Sequence, residues 1–191
     1  MAEVHAQVRE EQLDPEREAR RRVALAQIRQ YPDPALRIRA YEVEDFDEDL
    51  ARLVERMTAL MRDANGVGLA ATQVGVLRRL FVYQAAEDEE PDAVVNPQIE
   101  VRGEERATDD EGCLSIQGVH VPVERACAIT LIGKDVAGGD YRRDLGGPGA
   151  RVAQHEVDHL DGVLMLDRTT VAARKAAMAV LRPRLVVTGL R

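Results

Sequence analysis

The 191-residue sequence predicts an α+β fold: mixed or antiparallel strands around a central helix, with an amphipathic helix toward the N-terminus and another helix at the C-terminus. Three observations predict it. Leu50, Leu53, Val54, Met57, Leu60, Met61 and Ala64 recur at helical spacing, whereas LFVYQ, AVVNPQIEV, VHVPVE and CAITLIGKDV alternate or run apolar as strands do. Helical segments flank that run of strands instead of alternating with it, the order expected of an α+β domain. Between the strands and the last helix lies QHEVDHLDG, residues 154–162. Its two histidines, four positions apart, share one face of a helix and can reach one metal ion.

Each element follows in chain order. Residues 1–22 mix Glu and Arg without a clear apolar stripe and read as a frayed or partly helical extension, so residues 1–24 are set apart from a single domain over 25–191. PDPALR, residues 32–37, is turn chemistry. Asp45 with Glu48 three residues on resembles a capping box for the amphipathic helix, which Asn65-Gly66 stops. GVGLAATQVGV follows; its glycines alone indicate no more than a turn. LFVYQ reads as a strand and QAAEDEEPD as an acidic surface loop. DVAGGDYRRDL reads as a hairpin turning at Gly138-Gly139, and LGGPG as a flexible approach to the helix of His155. Thr169 or Thr170 caps a last helix through about Leu181, ended by Pro183. There is no internal repeat and no linker that would divide the chain.

Composition narrows the function. The chain is 45% hydrophobic and 31% charged, with 3% aromatics and no Trp, so its core is aliphatic. A net charge of -8 and a pI of about 5.1 argue against DNA or broad nucleic-acid binding. No apolar run approaches the roughly 20 residues of a membrane helix, and the first residues have no apolar signal core. The expectation is a cytoplasmic protein with no membrane partner. Its two cysteines, Cys113 and Cys127, make no disulfide framework, and in a reducing compartment a well-placed thiol is a ligand or nucleophile.

His155, Glu156 and His159 form His-Glu-x-x-His, two imidazole ligands with a carboxylate beside them to handle a proton. A catalytic site of this kind keeps three protein ligands and one open position. Downstream candidates for the third are Asp161, which points off the ligand face, and Asp167, which spacing alone does not exclude. Upstream is Cys113 in DEGCLSIQG, where the preceding glycine allows close backbone approach. Cys113 is the favoured ligand, giving a His₂Cys set suited to Zn²⁺, Fe²⁺, Ni²⁺ or Co²⁺. Cys127, among strand residues, reads as a buried core thiol.

GVGLAATQ, EGCLS and QHEVDHLDG, in this order, resemble the three signatures of the bacterial peptide deformylases, GxGxAAxQ, EGCxS and QHExDHLxG. PDPALR, VVNPQI and GVLMLDR add to the likeness, which covers about residues 28–168. The resemblance implies removal of the formyl group from the N-terminal formyl-methionine of nascent polypeptides. It assigns Cys113, His155 and His159 to the metal, Glu156 to general acid/base work, and Gln73 with the Leu114 N–H to the oxyanion. Gly66, Val67 and Gly68 become a rim on which the peptide lies as an added strand, and Glu111 and Arg125 a pair that steadies the cysteine loop. It also points to ferrous iron as the working metal, with zinc a poor substitute.

The chain departs from the family pattern at Thr72, where Pro is usual, at Gln117, also usually Pro, and at His120, where an arginine that grips the peptide is common. These leave the chemistry standing and bear on substrate grip. Two rivals follow: a metallopeptidase with a downstream third ligand, and a diverged non-catalytic binder. The last stretch carries Arg174, Lys175, Arg182, Arg184 and Arg191 without an acid after Asp167. Its plain reading is a solvated helix face; a sharper one is a weak, salt-sensitive ribosome contact through RNA.

Overall fold

The computed structural model describes residues 14–86 and 88–182. Strands β1 (Gly68–Ala70), β2 (Leu80–Tyr83), β3 (Asp92–Arg102), β6 (Ala128–Lys134) and β7 (Asp140–Gly146) form, in that order, one five-stranded sheet. Every neighbouring pair in it is antiparallel. A second sheet is the hairpin of β4 (Arg106–Cys113) and β5 (Ile116–Ala126).

The large sheet is covered on both faces, and β2 shows why. Leu80 and Val82 point to one side, into a core with α1 (Pro15–Leu25) and α2 (Glu48–Asp63). Phe81 and Tyr83 point to the other, against α3 (Gly147–Leu160). Successive strand side chains face opposite ways, so a strand between two layers must be apolar throughout, and all four residues of β2 are buried. On α2 the buried Leu50, Met57, Leu60 and Met61 form one stripe. A third core joins Val119, Val121 and Val123 of β5 to α4 (Met165–Arg168) and α5 (Val171–Leu181).

The expected strands are present as β2, β3, β5 and β6. The expected hairpin joins β6 to β7, its turn closed by Asp135 Oδ1, which accepts the amides of Ala137 (2.9 Å) and Gly139 (2.8 Å). α5 starts at N-cap Thr170, whose hydroxyl accepts the Ala173 amide, and runs to Leu181; Pro183 lies outside the described residues. β1 and β4 were not expected. β4 reads RATDDEGC, and β5 supplies the apolar face of that hairpin, so no alternation marks it.

Several local expectations are corrected. α2 is capped by Asp47, not Asp45: the Asp47 carboxylate accepts the Leu50 amide at 2.9 Å, the geometry of an N-cap and its third residue. The N-terminal segment, read as frayed or partly helical, is helical over residues 15–25, started by Asp14 over the Glu16 and Arg17 amides and by Pro15 in the first turn. The LGGPG stretch is not a separate approach to α3: Leu145 and Gly146 end β7, and Gly147 and Pro148 are the first residues of α3. Cys127 is not core: it sits half-buried in the break between β5 and β6.

Candidate metal centre and active site

Cys113 ends β4, and His155 and His159 lie one turn apart on α3, which the large sheet presses toward that strand end. Their ligand atoms all lie within 4.8 Å of one another. Cys113 Sγ is 3.2 Å from His159 Nε2. His155 Nδ1 is 3.0 Å from Glu111 Oε2, which leaves Nε2 as its ligating nitrogen. A thiol and two imidazoles so grouped suit one borderline-soft divalent ion. Burial opposes charge on His155, but its bonds to Cys113 and Glu111 outweigh that and favour a cation there. Burial, then the neighbouring His155, hold His159 well below the usual histidine range. The downstream alternatives are committed elsewhere: Asp161 pairs with Arg79 at 2.7 Å, and Asp167 accepts from Arg37 and from the Leu164 amide.

Glu156 is buried beside this group, and its Oε2 has no hydrogen-bond partner. Burial pushes its carboxyl up to about 7, where both protonation states are accessible at neutral pH. The glycine rim meets it directly. A Cβ on Gly68 would lie 2.3 Å from Glu156 Oε1 and 2.9 Å from Val152 Cγ1; one on Gly66 would lie 2.6 Å from Leu114 Cδ1. The rim is thus glycine partly because Glu156 and Leu114 occupy the space.

Gln73 sits in a short 3-10 helix, residues 71–74. Its Oε1 accepts the Ala70 amide at 2.8 Å, which turns Nε2 toward Ser115 Oγ (3.1 Å) and Cys113 Sγ (3.7 Å). Leu114 lies between those two residues. Its carbonyl accepts from Gln30 Nε2 at 3.0 Å, and Gln117 donates to Gln30 Oε1 at 2.8 Å. Gln117, one of the departures, therefore braces the Leu114 loop through Gln30. Thr72, another, is buried and donates to the His159 carbonyl at 3.3 Å. His120 lines the cleft, and its ring fills the space a Cβ on Gly112 would need, 2.7 Å from Nε2.

Behind the ligands lies a buried ionic network. Arg125 holds Glu111 through Nε (2.9 Å) and NH2 (3.0 Å) and reaches Asp158 at 2.5 Å; Asp158 also accepts from Arg168. Burial alone would raise the Glu111 carboxyl, but hydrogen bonds from His155 and Arg125 bring it down to about 2. Arg151 adds a second cation to Glu111 at 2.9 Å and ties Asp109 and the carbonyls of Ala107 and Val123 to α3. Gln154 clamps both main-chain groups of Ala126. The Glu111–Arg125 pair was expected; Arg151, Gln154, Asp158, Ser115 and Gln30 were not. Spacing could have flagged Arg151, one turn before His155 on α3.

Fold and site together define a class: a hydrolase-type metal centre in which a strand thiol and a His-Glu-x-x-His helix share one ion. Comparison with known proteins narrows it. The sequence profile described as "Polypeptide deformylase" matches residues 25–175. "Peptide deformylase 1" of Corynebacterium efficiens is 48% identical over 162 residues, covering 84% of this chain and 96% of that protein. The crystal structure of peptide deformylase from Thermotoga maritima is 43% identical with a TM-score of 0.72, over 75% of this chain and 96% of that one. A peptide deformylase from Synechococcus elongatus in complex with actinonin is 36% identical with a TM-score of 0.77, over 80% of this chain and 85% of that one. The chain belongs to the polypeptide deformylase family.

Proposed function

We propose that this cleft binds one divalent metal through Cys113, His155 and His159 and hydrolyses the formyl group from the N-terminal formyl-methionine of newly made polypeptides. The observation that carries the reading is the grouping of those three ligand atoms within 4.8 Å, with the buried Glu156 next in sequence to His155. Ferrous iron is the proposed metal; Zn²⁺, Ni²⁺ and Co²⁺ suit the same donors. A bound ion lowers the pKa of water from about 15.7 to about 7 and so supplies a nucleophile at neutral pH.

The chain's own residues do the rest. Glu156 takes the proton of the attacking water and returns it to the departing nitrogen, giving formate and a free amine. The Gln73 amide and the Leu114 N–H donate to the carbonyl oxygen as it gains charge, each worth on the order of 10²–10³ in rate. β1 is an edge strand of the large sheet, and Val67 before it is 56% exposed. An extended peptide added along Gly66, Val67 and Gly68 is read through its main chain, which tolerates many sequences. Val67 and Val152 both line the cleft and would flank the methionine side chain of the substrate.

The reading extends to setting. Among the described residues no helix is long and apolar enough to cross a membrane. Formylated nascent chains as substrate suit a cytoplasmic enzyme. Residues 25–191 serve as its catalytic domain and 1–24 as an extension. A weak ribosome contact through Arg174, Lys175 and Arg182 belongs to the same proposal; Arg184 and Arg191 lie outside the described residues. The test is formate release from formyl-Met-Ala-Ser by the metal-loaded enzyme. Glu156→Ala should cut kcat by roughly 10²–10⁴ while the metal stays bound. Metal-loaded protein that releases no formate would leave only a binding role.

A further inference from the structure

α1 reaches into the substrate cleft. The family match begins at residue 25, yet Arg21, one helical turn earlier, lines the same cavity as Gln73, Cys113, His155 and Glu156. Arg17, Arg21 and Leu25 are spaced by four and so share one face of α1. Both ends of that face are fixed. Leu25 is 8% exposed in the α1–α2 core and also lines the cleft. Arg17 NH2 reaches Asn65 Oδ1 at 3.5 Å, and Asn65 immediately precedes the glycine rim. The helix is therefore seated against the rim, with Arg21 midway along the seated face.

Among the described residues nothing pairs with the charge of Arg21. It is half-buried, and among the described residues no carboxylate lies within ion-pair distance of it. The other arginine of the cleft, Arg151, is spent on Glu111 and Asp109. Asp110 and Glu111 also line the cavity, but Glu111 is held by Arg125, Arg151 and His155. On a chain of net charge -8, a guanidinium lining the cleft with no carboxylate partner among the described residues is notable; Asp110 is exposed and also has no ion pair among them. Arg21 is one helical turn from Arg17, which reaches Asn65 before the rim, whereas Glu156 stands against Gly68 at the rim's other end.

We infer that Arg21 is a specificity-determining residue that favours substrates with an acidic side chain among the residues just after the formyl-methionine. The inference rests on the deformylation reading above and adds a charge preference to it. Main-chain pairing along the rim is sequence-blind; Arg21 gives the cleft one side-chain preference beyond the first residue. A partly exposed ion pair of this kind is worth about two- to fivefold in binding. Arg21 lies away from the scissile bond, so the gain falls on KM more than on kcat.

The experiment uses the metal-loaded full chain and formyl-Met tripeptide amides, in which Glu, Gln or Lys replaces one residue at a time after methionine; amidation removes the C-terminal charge. In the unaltered enzyme one position should show a kcat/KM for Glu about two- to fivefold above that for Gln, shrinking as salt rises. Arg21→Gln should bring that ratio to about one, Arg21→Lys should restore part of it, and Arg21→Glu should invert it in favour of Lys. A Glu-to-Gln ratio near one in the unaltered enzyme, or one that Arg21→Gln leaves in place, overturns the inference while deformylation stands. No formate from any peptide overturns the deformylation reading itself.

Discussion

The two sides of the metal centre are built from different materials. Behind the ligands, Glu111, Arg125, Asp158, Arg168 and Arg151 form a charged lattice that is mostly buried. In front, the rim and the loop facing it are main chain and neutral groups, Gly66, Gly68, the Gln73 amide and the Leu114 loop, with Arg21 as a charged addition from α1. Charges at fixed distances hold the His155 imidazole in place through Glu111, and removing a member leaves buried charge undercompensated. On the proposed reading, neutral main chain in front would pair with an extended peptide through its backbone and meet a carbonyl that becomes charged only during reaction. Rigidity is placed where the ion is held and tolerance where the substrate varies.

The contrast can be broken from either side. The largest effect is expected from Cys113→Ala, which removes a ligand: metal content measured by elemental analysis should fall to background, and formate release with it. Full metal content in Cys113→Ser would instead mean that the thiol is no ligand. Next is Glu111→Ala in the rear lattice. It leaves Arg125, 5% exposed, with Asp158 as its one remaining carboxylate and takes a carboxylate from Arg151 as well, and should cost roughly 3–5 kcal/mol in denaturant unfolding. It should also weaken metal binding by about 10–100-fold through His155.

Acid tests the same carboxylate in the metal-free protein. Glu111 is held at about 2 against an ordinary 4.5, so it stabilises the fold above pH 4.5. That stabilisation should be lost as pH falls from 4.5 toward 2, read as a falling unfolding midpoint. In Glu111→Ala that part of the pH dependence should vanish. In front, Gly68→Ala puts a methyl group where Glu156 stands. Displacing that carboxylate by about 1 Å should cost on the order of 10² in kcat, with metal content and stability nearly unchanged. A large loss of stability there would mean that the rim bears load as the lattice does.

The front side was the more legible in sequence. Glycines, Gln73 and the His-Glu-x-x-His spacing announce themselves within a few residues, because each role depends on local geometry. The α2 stripe and β2 were legible for the same reason, their periodicity being set by one core face or two. The lattice was not, except for Glu111 and Arg125. Its members come from β4, β5, α3 and the end of α4, and nothing in the chain pattern brings Arg168 to Asp158. β4 was hidden because its partner strand supplies the apolar face. The partly helical reading of the N-terminal segment left the bounds of α1 open because that helix buries only Ala24 and Leu25.

β1 has only three residues, and it borders the sheet. Such a border invites any extended chain, and in a crowded cell that hospitality is a hazard: long, flat, open margins recruit neighbours into aggregates. Three residues leave a neighbouring chain little length on which to pair. The catalyst can keep a door open to every unfinished protein without being sewn to any of them.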